Sequence, residues 1–393
     1  MHEHSQPNPS DARISRRSFL KRFALMSGGL ALSAVGGIPP PPGHTAAPEV
    51  ATAERNKITS PSDATKLGDV SAEVDNPPDE VKFNKISELP EPLEFPTATI
   101  YGDELYVIGG FGATTLNKKI YRANIRDMAN FQWSSTSAAL PTGVFMNALE
   151  RVNREVYLMG GFIMNPDGTC VSTKKTLHGT IGTNGDVGAW EENAEIPESL
   201  VSPTSLSING EVYILCSDRA YKARKSGSRV IGWDASFTYP GKITSGAVTT
   251  LGNRIFVTGP ALEDIYSMQL NSDGSVTPWL PQLAPSGALG KQAPNLISHD
   301  NSIFIVAGFN AITSTKPIYR GQLDAKNNTL LWKRVGNLDT AFAAAASTVC
   351  GNNLLLIGGD DKDPIFEGDV KVLKDVRLAK IAPASRNSTQ LNL

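Results

Sequence analysis

Six times along the chain, a short apolar run rich in β-forming residues ends in a pair of small ones. The runs are YVIGG at 106–110, YLMGG at 157–161, YILCS at 213–217, FVTGP at 256–260, FIVAG at 304–308 and LLIGG at 355–359. They recur every 43 to 56 residues. A unit of that length cannot bury an apolar face alone and must stack on its neighbours, so the recurrence constrains the architecture more than any other feature. Two further markers keep the same phase. All five tryptophans (Trp133, Trp190, Trp233, Trp279 and Trp332) fall one per unit, each shortly before a Leu-Pro, Ile-Pro, Tyr-Pro or Leu-Ala/Asp exit. Between run and tryptophan lies a tyrosine, at Tyr121, Tyr221, Tyr266 and Tyr319.

Each unit therefore divides into four short strands. Strand a precedes a Gly/Asn/Asp hairpin such as Asn209-Gly210, strand b ends in the small pair, c carries the tyrosine and d the tryptophan. Four strands at a period near 50 resemble the blade of a kelch-type β-propeller, an all-β fold. The ends support a closed ring. Phe83 stands one period before Trp133, whereas no tryptophan follows the last b strand. The expectation is a six-bladed propeller over residues 81–378, in which an N-terminal strand supplies the d position of the last blade and removes an open edge. The recurring aromatics then pack between blades, and the small pairs allow close approach at the crowded inner end.

Ahead of the repeats, Ser15, Arg16, Arg17, Phe19, Leu20 and Lys21 occupy every fixed position of S-R-R-x-F-L-K. The uncharged stretch FALMSGGLALSAVGGI follows at 23–38. A basic segment before a short, weakly apolar one reads as a leader, and this one resembles the signal of the twin-arginine (Tat) export route. The resemblance implies a signal peptide at 1–38, the Tat machinery as partner, and export of a folded bacterial protein to the periplasm or outside the cell. Residues 39–80, rich in Pro, Ala, Asp and Glu, read as a disordered linker. Residues 379–393 read as a flexible tail.

Composition excludes several classes. Lys+Arg of 37 against Asp+Glu of 39 leaves a net charge of −2, without the basic field a nucleic-acid binder needs. Three cysteines exclude a disulfide scaffold. No stretch reaches the ~20 uninterrupted apolar residues of a membrane span.

Catalytic chemistry is sparse. His2, His4 and His44 lie in the leader or linker, His178 on a c strand and His299 at an a–b hairpin. No ligand cluster results, so no metal or other cofactor is expected, and the copper radical chemistry that also uses this fold lacks its paired histidines. Asp360, Asp361 and Asp363 offer calcium ligands or, more commonly, a solvated acidic turn. Cys216 is expected to be buried, and Cys170, in the longest b–c loop, to be exposed without a histidine partner. No P-loop, dinucleotide fingerprint or nucleophile elbow is present.

The remaining candidates line the face built by the d–a and b–c loops. From the d–a side come Glu91, Glu94, Asn147, Lys242, Lys291 and Asp339; from the b–c side Phe111, Phe162, Phe309, Asn310, Arg219, Asp360 and Asp361. Phe111, Phe162 and Phe309 directly follow a small pair, and with Asn310, Lys242 and Lys291 they form a candidate sugar-binding set; alternatively the phenylalanines plug the channel mouth. The repeat is similar to that of exported bacterial sialic-acid mutarotases, in which a carboxylate and an arginine act on the sugar. That resemblance implies roles for such a pair here, and Glu94 and Arg219 are the candidates by location, although no local motif matches residue by residue. Three functions follow from the sequence: a carbohydrate-binding propeller, a cofactor-free sugar mutarotase, or a scaffold for a periplasmic protein.

Overall fold

The computed structural model describes residues 80–381, except 129, 201, 242, 244–245, 260–261, 263, 286–294, 309–315, 341 and 362–370. The leader motif at Ser15 to Lys21, the linker up to 79 and the chain beyond 381 lie outside the described residues. Everything described is strand, turn or loop, and no helix is long and apolar enough to cross a membrane.

After β1 (Asn84–Glu88), blade 1 is formed by β2 (Thr97–Tyr101), β3 (Glu104–Ile108), β4 (Ile120–Asn124) and β5 (Trp133–Ser135). Blade 2 has β6 (Ala148–Val152) and β7 (Glu155–Met159), then a separate hairpin of β8 (Phe162–Met164) and β9 (Cys170–Ser172), then β10 (Thr176–Thr180) and β11 (Glu191–Asn193). Blade 3 is β12 (Thr204–Ile208), β13 (Glu211–Leu215), β14 (Arg219–Ser226) and β15 (Arg229–Thr238). Blade 4 is β16 (Ala247–Leu251), β17 (Arg254–Thr258), β18 (Tyr266–Gln269) and β19 (Leu280–Pro281). Blade 5 is β20 (Asn295–His299), β21 (Ser302–Val306), β22 (Pro317–Asp324) and β23 (Thr329–Asn337). Blade 6 has β24 (Ala346–Cys350), β25 (Asn353–Ile357) and β26 (Asp375–Lys380), and its fourth strand is β1.

The ring is thus closed by its first strand. β1 runs antiparallel to β26, from Asn84 opposite Leu378 to Glu88 opposite Asp375, and Lys85 reaches the Asp375 carboxylate at 3.0 Å. The last strand runs two residues past the boundary expected at 378, and Ile381 follows it. Ala379 and Ile381 are buried, and the Ile381 amide donates to Asn352 O, because the seam between blades 5 and 6 needs their apolar surface.

Local chemistry explains the units. Asn209 and Gly210 both adopt left-handed φ, 54° and 78°, the type I′ geometry whose twist suits a two-residue hairpin. Alternate residues of each b strand face opposite seams: Leu105 and Val107 pack toward blade 6, Tyr106 and Ile108 toward blade 2. Six apolar clusters result, one in each seam, rather than one central core. The tryptophans join neighbouring blades as well. The indole N–H of Trp133 donates to Ser87, of Trp233 to Ala194 O, of Trp279 to Thr238 O and of Trp332 to Gln282 O. Phe83, buried among Phe304, Val335 and Leu356, occupies the corresponding place between blades 5 and 6.

The small pairs have a steric cause. A Cβ on Gly109 would stand 2.6 Å from Val144 O of the next blade, and one on Gly161 2.6 Å from Phe145 O of its own. On Gly359 it would meet Ala343 O at 2.4 Å. At Gly109, Gly161 and Gly359 there is no room for a side chain where the b–c corner folds onto the d–a segment.

Candidate functional site at the channel mouth

Strands a and b differ in exposure. The b strands are buried almost throughout, whereas the a strands, though innermost, are mostly half-exposed. Solvent reaches them along the axis, so the a strands wall a central channel. At its d–a end the channel widens into a cavity of about 260 Å³. Every blade contributes: residues 95–98 from blade 1, Met146, Asn147 and Leu149 from blade 2, Ser202, Gly246 and Asn295 from blades 3 to 5, and residues 344–347 from blade 6.

The corner preceding strand a shapes this mouth. Phe95, Met146, Ser202 and Ala344 occupy equivalent positions, two residues before strand a, and all are left-handed, with φ between 51° and 56°. For phenylalanine and methionine this is a strained conformation, and such strain concentrates at ligand sites and switches. Backbone bonds hold the corners: the Phe95 amide donates to Ala344 O at 2.7 Å across the ring-closing seam.

The lining is uncharged and mixed. Ser347 Oγ donates to Asn295 Oδ1 at 2.9 Å, linking blades 5 and 6. Asn147 is 7% exposed; its Nδ2 donates to Ala148 O, and its Oδ1 has no hydrogen-bond partner among the described residues. A buried amide oxygen left without a donor is destabilising, so it is a ready acceptor for a ligand hydroxyl or amide. Phe95, Pro96, Met146 and the alanines supply apolar surface beside these groups.

One residue beyond Leu149 stands Glu150, half-buried in the channel wall. Ser205 Oγ of blade 3 donates to its Oε1 at 2.9 Å. Burial pushes its carboxyl up to about 7, against the opposing effects of the Ser207 and Ser205 hydroxyls and the Arg151 charge.

The sequence candidates fall in several places. Asn147 lines the cavity. Phe111 and Phe162 build an aromatic cluster around Phe145, at 5.6 and 5.4 Å between ring centres, with Met146 and Phe95 against it. Glu94 is 2% exposed and exchanges two backbone hydrogen bonds with Phe111, 2.9 and 2.7 Å. Asp360 is buried in the equivalent bridge to Ala343. Arg219 opens β14 in blade 3, with its guanidinium 3.6 Å from Asp218. Glu91 accepts the Tyr121 hydroxyl, and Asp339 is exposed. Lys242, Lys291, Phe309, Asn310 and Asp363 lie outside the described residues.

Cys170, expected to be exposed, is half-buried, because its loop folds into the β8–β9 hairpin against the aromatic cluster, and burial raises its thiol pKa. Cys216 is buried, as expected. Sequence reasoning missed Ser202, Asn295, Ser347 and Glu150. For Glu150 a signal existed: it is a lone carboxylate at the third position of an a strand, where other units carry Thr99, Thr249 and Thr348.

No protein-family profile matches the chain. N-acetylneuraminate epimerase 1 of Escherichia coli O6:H1 strain CFT073 is 26% identical, over 77% of this chain and 82% of the relative. The chain is a six-bladed β-propeller similar to that epimerase. Among solved structures, that of YjhT superposes with a TM-score of 0.61 at 16% identity, covering 76% of this chain and 98% of YjhT. At that identity the likeness carries the fold, and the site must be argued from its own residues.

Proposed function

We propose that the channel-mouth cavity binds a monosaccharide. The observation that carries this is the lining: two amides and three hydroxyls from five blades, interleaved with apolar surface and free of charge. A sugar presents the same alternation of hydroxyl rim and C–H face. At about 260 Å³ the cavity lies at the small end for ligand pockets, suiting one ring rather than an oligosaccharide. The name of the E. coli relative makes N-acetylneuraminate the first sugar to try, and anomer exchange without a cofactor the first reaction.

Titrating the full chain with N-acetylneuraminate, N-acetylhexosamines and neutral hexoses, read by thermal shift, tests the binding. A bound sugar at 100 times its Kd adds about 2.7 kcal/mol of stability. Asn147→Ala should weaken that sugar roughly 2- to 13-fold, the effect of one neutral hydrogen bond. If no sugar in the panel raises the melting temperature, the mouth is not a sugar site.

The leader motif supports a second proposal, export through the twin-arginine route. Replacing Arg16 and Arg17 together by lysine should retain the protein in the cytoplasm. Unchanged periplasmic recovery after fractionation refutes that route.

A further inference from the structure

We infer that a sugar bound at the mouth staples the ring shut between blades 6 and 1, so that filling the cavity and seating β1 are one coupled equilibrium. The inference rests on the sugar-binding reading of the mouth and adds what the bound ligand does to the frame. The chain runs without a break from β1 through blades 1 to 5 to β26, so the ring lacks a covalent link at one place only. That place is where β1 and residues 89–95 meet the rest of blade 6.

The joint is built from backbone bonds and a small apolar seam. β1 lies along β26 from Asn84 opposite Leu378 to Glu88 opposite Asp375. From there the chain climbs toward the mouth in steps. The Leu89 amide donates to Lys374 O at 2.7 Å and the Leu93 amide to Leu373 O at 3.2 Å. The Gly359 amide donates to Leu93 O and the Phe95 amide to Ala344 O, both at 2.7 Å. Leu89 and Leu93 are buried in one cluster with Leu355, Ile357 and Val376 of blade 6. The last of these bonds joins two residues that line the cavity. Closing strand and mouth are thus two ends of one joint.

The cavity leans on that joint. Eight of its fourteen lining residues are 95–98 of blade 1 and 344–347 of blade 6, the two walls that the joint holds together. Blades 3, 4 and 5 supply one residue each. A monosaccharide filling about 260 Å³ therefore spans both walls. When β1 and residues 89–95 lift off blade 6, the walls part and the site is gone. Sugar then binds the closed ring alone, and closure is favoured by a factor of 1 plus the ratio of free sugar to Kd. The coupling is reciprocal, so a ring that opens more often holds its sugar less well.

Hydrogen exchange read by mass spectrometry on the full chain tests this. The probe is N-acetylneuraminate, or whichever N-acetylhexosamine or hexose raises the melting temperature most, at 100 times its Kd. Amides that pair β1 with β26 exchange when the joint opens, and bound sugar should slow them ~100-fold. Amides of β15, the outer strand of blade 3 across the ring, open without disturbing the mouth and should keep their rate. Leu89→Ala loosens the joint without touching the cavity. Free of sugar, that variant should exchange faster than the parent at β1 and no faster at β15, and sugar should slow its β1 by the same ~100-fold. Equal slowing of β1 and β15 in both proteins overturns the staple, as does a bound sugar that leaves β1 unchanged. In either case the mouth remains a sugar site. If no sugar binds the parent, both readings fall.

Discussion

The ring of b strands and the ring of a strands carry the same register, turns and repeat, yet they do different work. Each b strand alternates large apolar side chains into two seams, and Tyr106, Tyr157, Phe256 and Phe304 are almost wholly enclosed. Each a strand carries smaller or polar residues: TATIY, ALERV, TSLSI, AVTTL, NLISH and ASTVC. The b ring faces protein on both sides, while the a ring has no neighbour across the axis. The lesson is that strength and chemistry are separated radially. A substitution at a channel-lining position of the a ring can change what the channel binds while removing little seam packing, and a substitution in the b ring loosens two blades at once.

The largest break in this comparison is removal of the strand that makes the frame a ring. Deleting Asn84–Glu88 strips the outer strand from blade 6 and exposes the edge of β26. Scanning calorimetry should find no cooperative transition; one within a few degrees of the parent's would show that closure is dispensable. Next, Phe304→Ala in the b ring should lose about 3–5 kcal/mol, because the cavity it leaves in the seam between blades 5 and 6 cannot collapse. Ser347→Ala in the a ring should lose about 0.5–1.5 kcal/mol, the Asn295 hydrogen bond alone. Denaturant melts of the two variants sharpen the contrast, and equal losses would remove it. The smallest effect concerns the corners. Ala344→Gly relieves a left-handed φ of 56° and should gain up to about 0.5 kcal/mol, since relief of that strain slightly exceeds the added flexibility of the unfolded chain. A loss above about 1 kcal/mol would show that the corner is not strained.

The frame was legible because it depends on period and size. Five tryptophans, Phe83 and six small pairs stand where they do because a Cβ on Gly109 or Gly359 has no room and the indoles must reach the preceding blade. Three features were not legible, for separable physical reasons. The left-handed corners at Phe95 and Met146 carry no glycine to announce them, since the ring's backbone bonds impose the conformation. Asn295 and Ser347 meet across a seam although 52 positions apart, and nothing local marks such a pair. The loop carrying Cys170 hides its thiol because Asn165 and Thr169 close a tight hairpin, which loop length alone did not predict. Asn147 was found because its place in the loop before strand a already put it at the mouth.

Closure by β1 also sets a clock. About 290 residues separate Glu88 from Asp375, its partner in the finished ring. At synthesis rates of about 5–20 residues per second, the first strand leaves the ribosome roughly 15–60 s before its mate. Blades 1 to 5 each hold all four of their strands in consecutive order and can assemble meanwhile, but blade 6 cannot. A growing chain therefore carries one unmated strand at its leading end through most of its synthesis, and the ring becomes whole only at the final turn of translation.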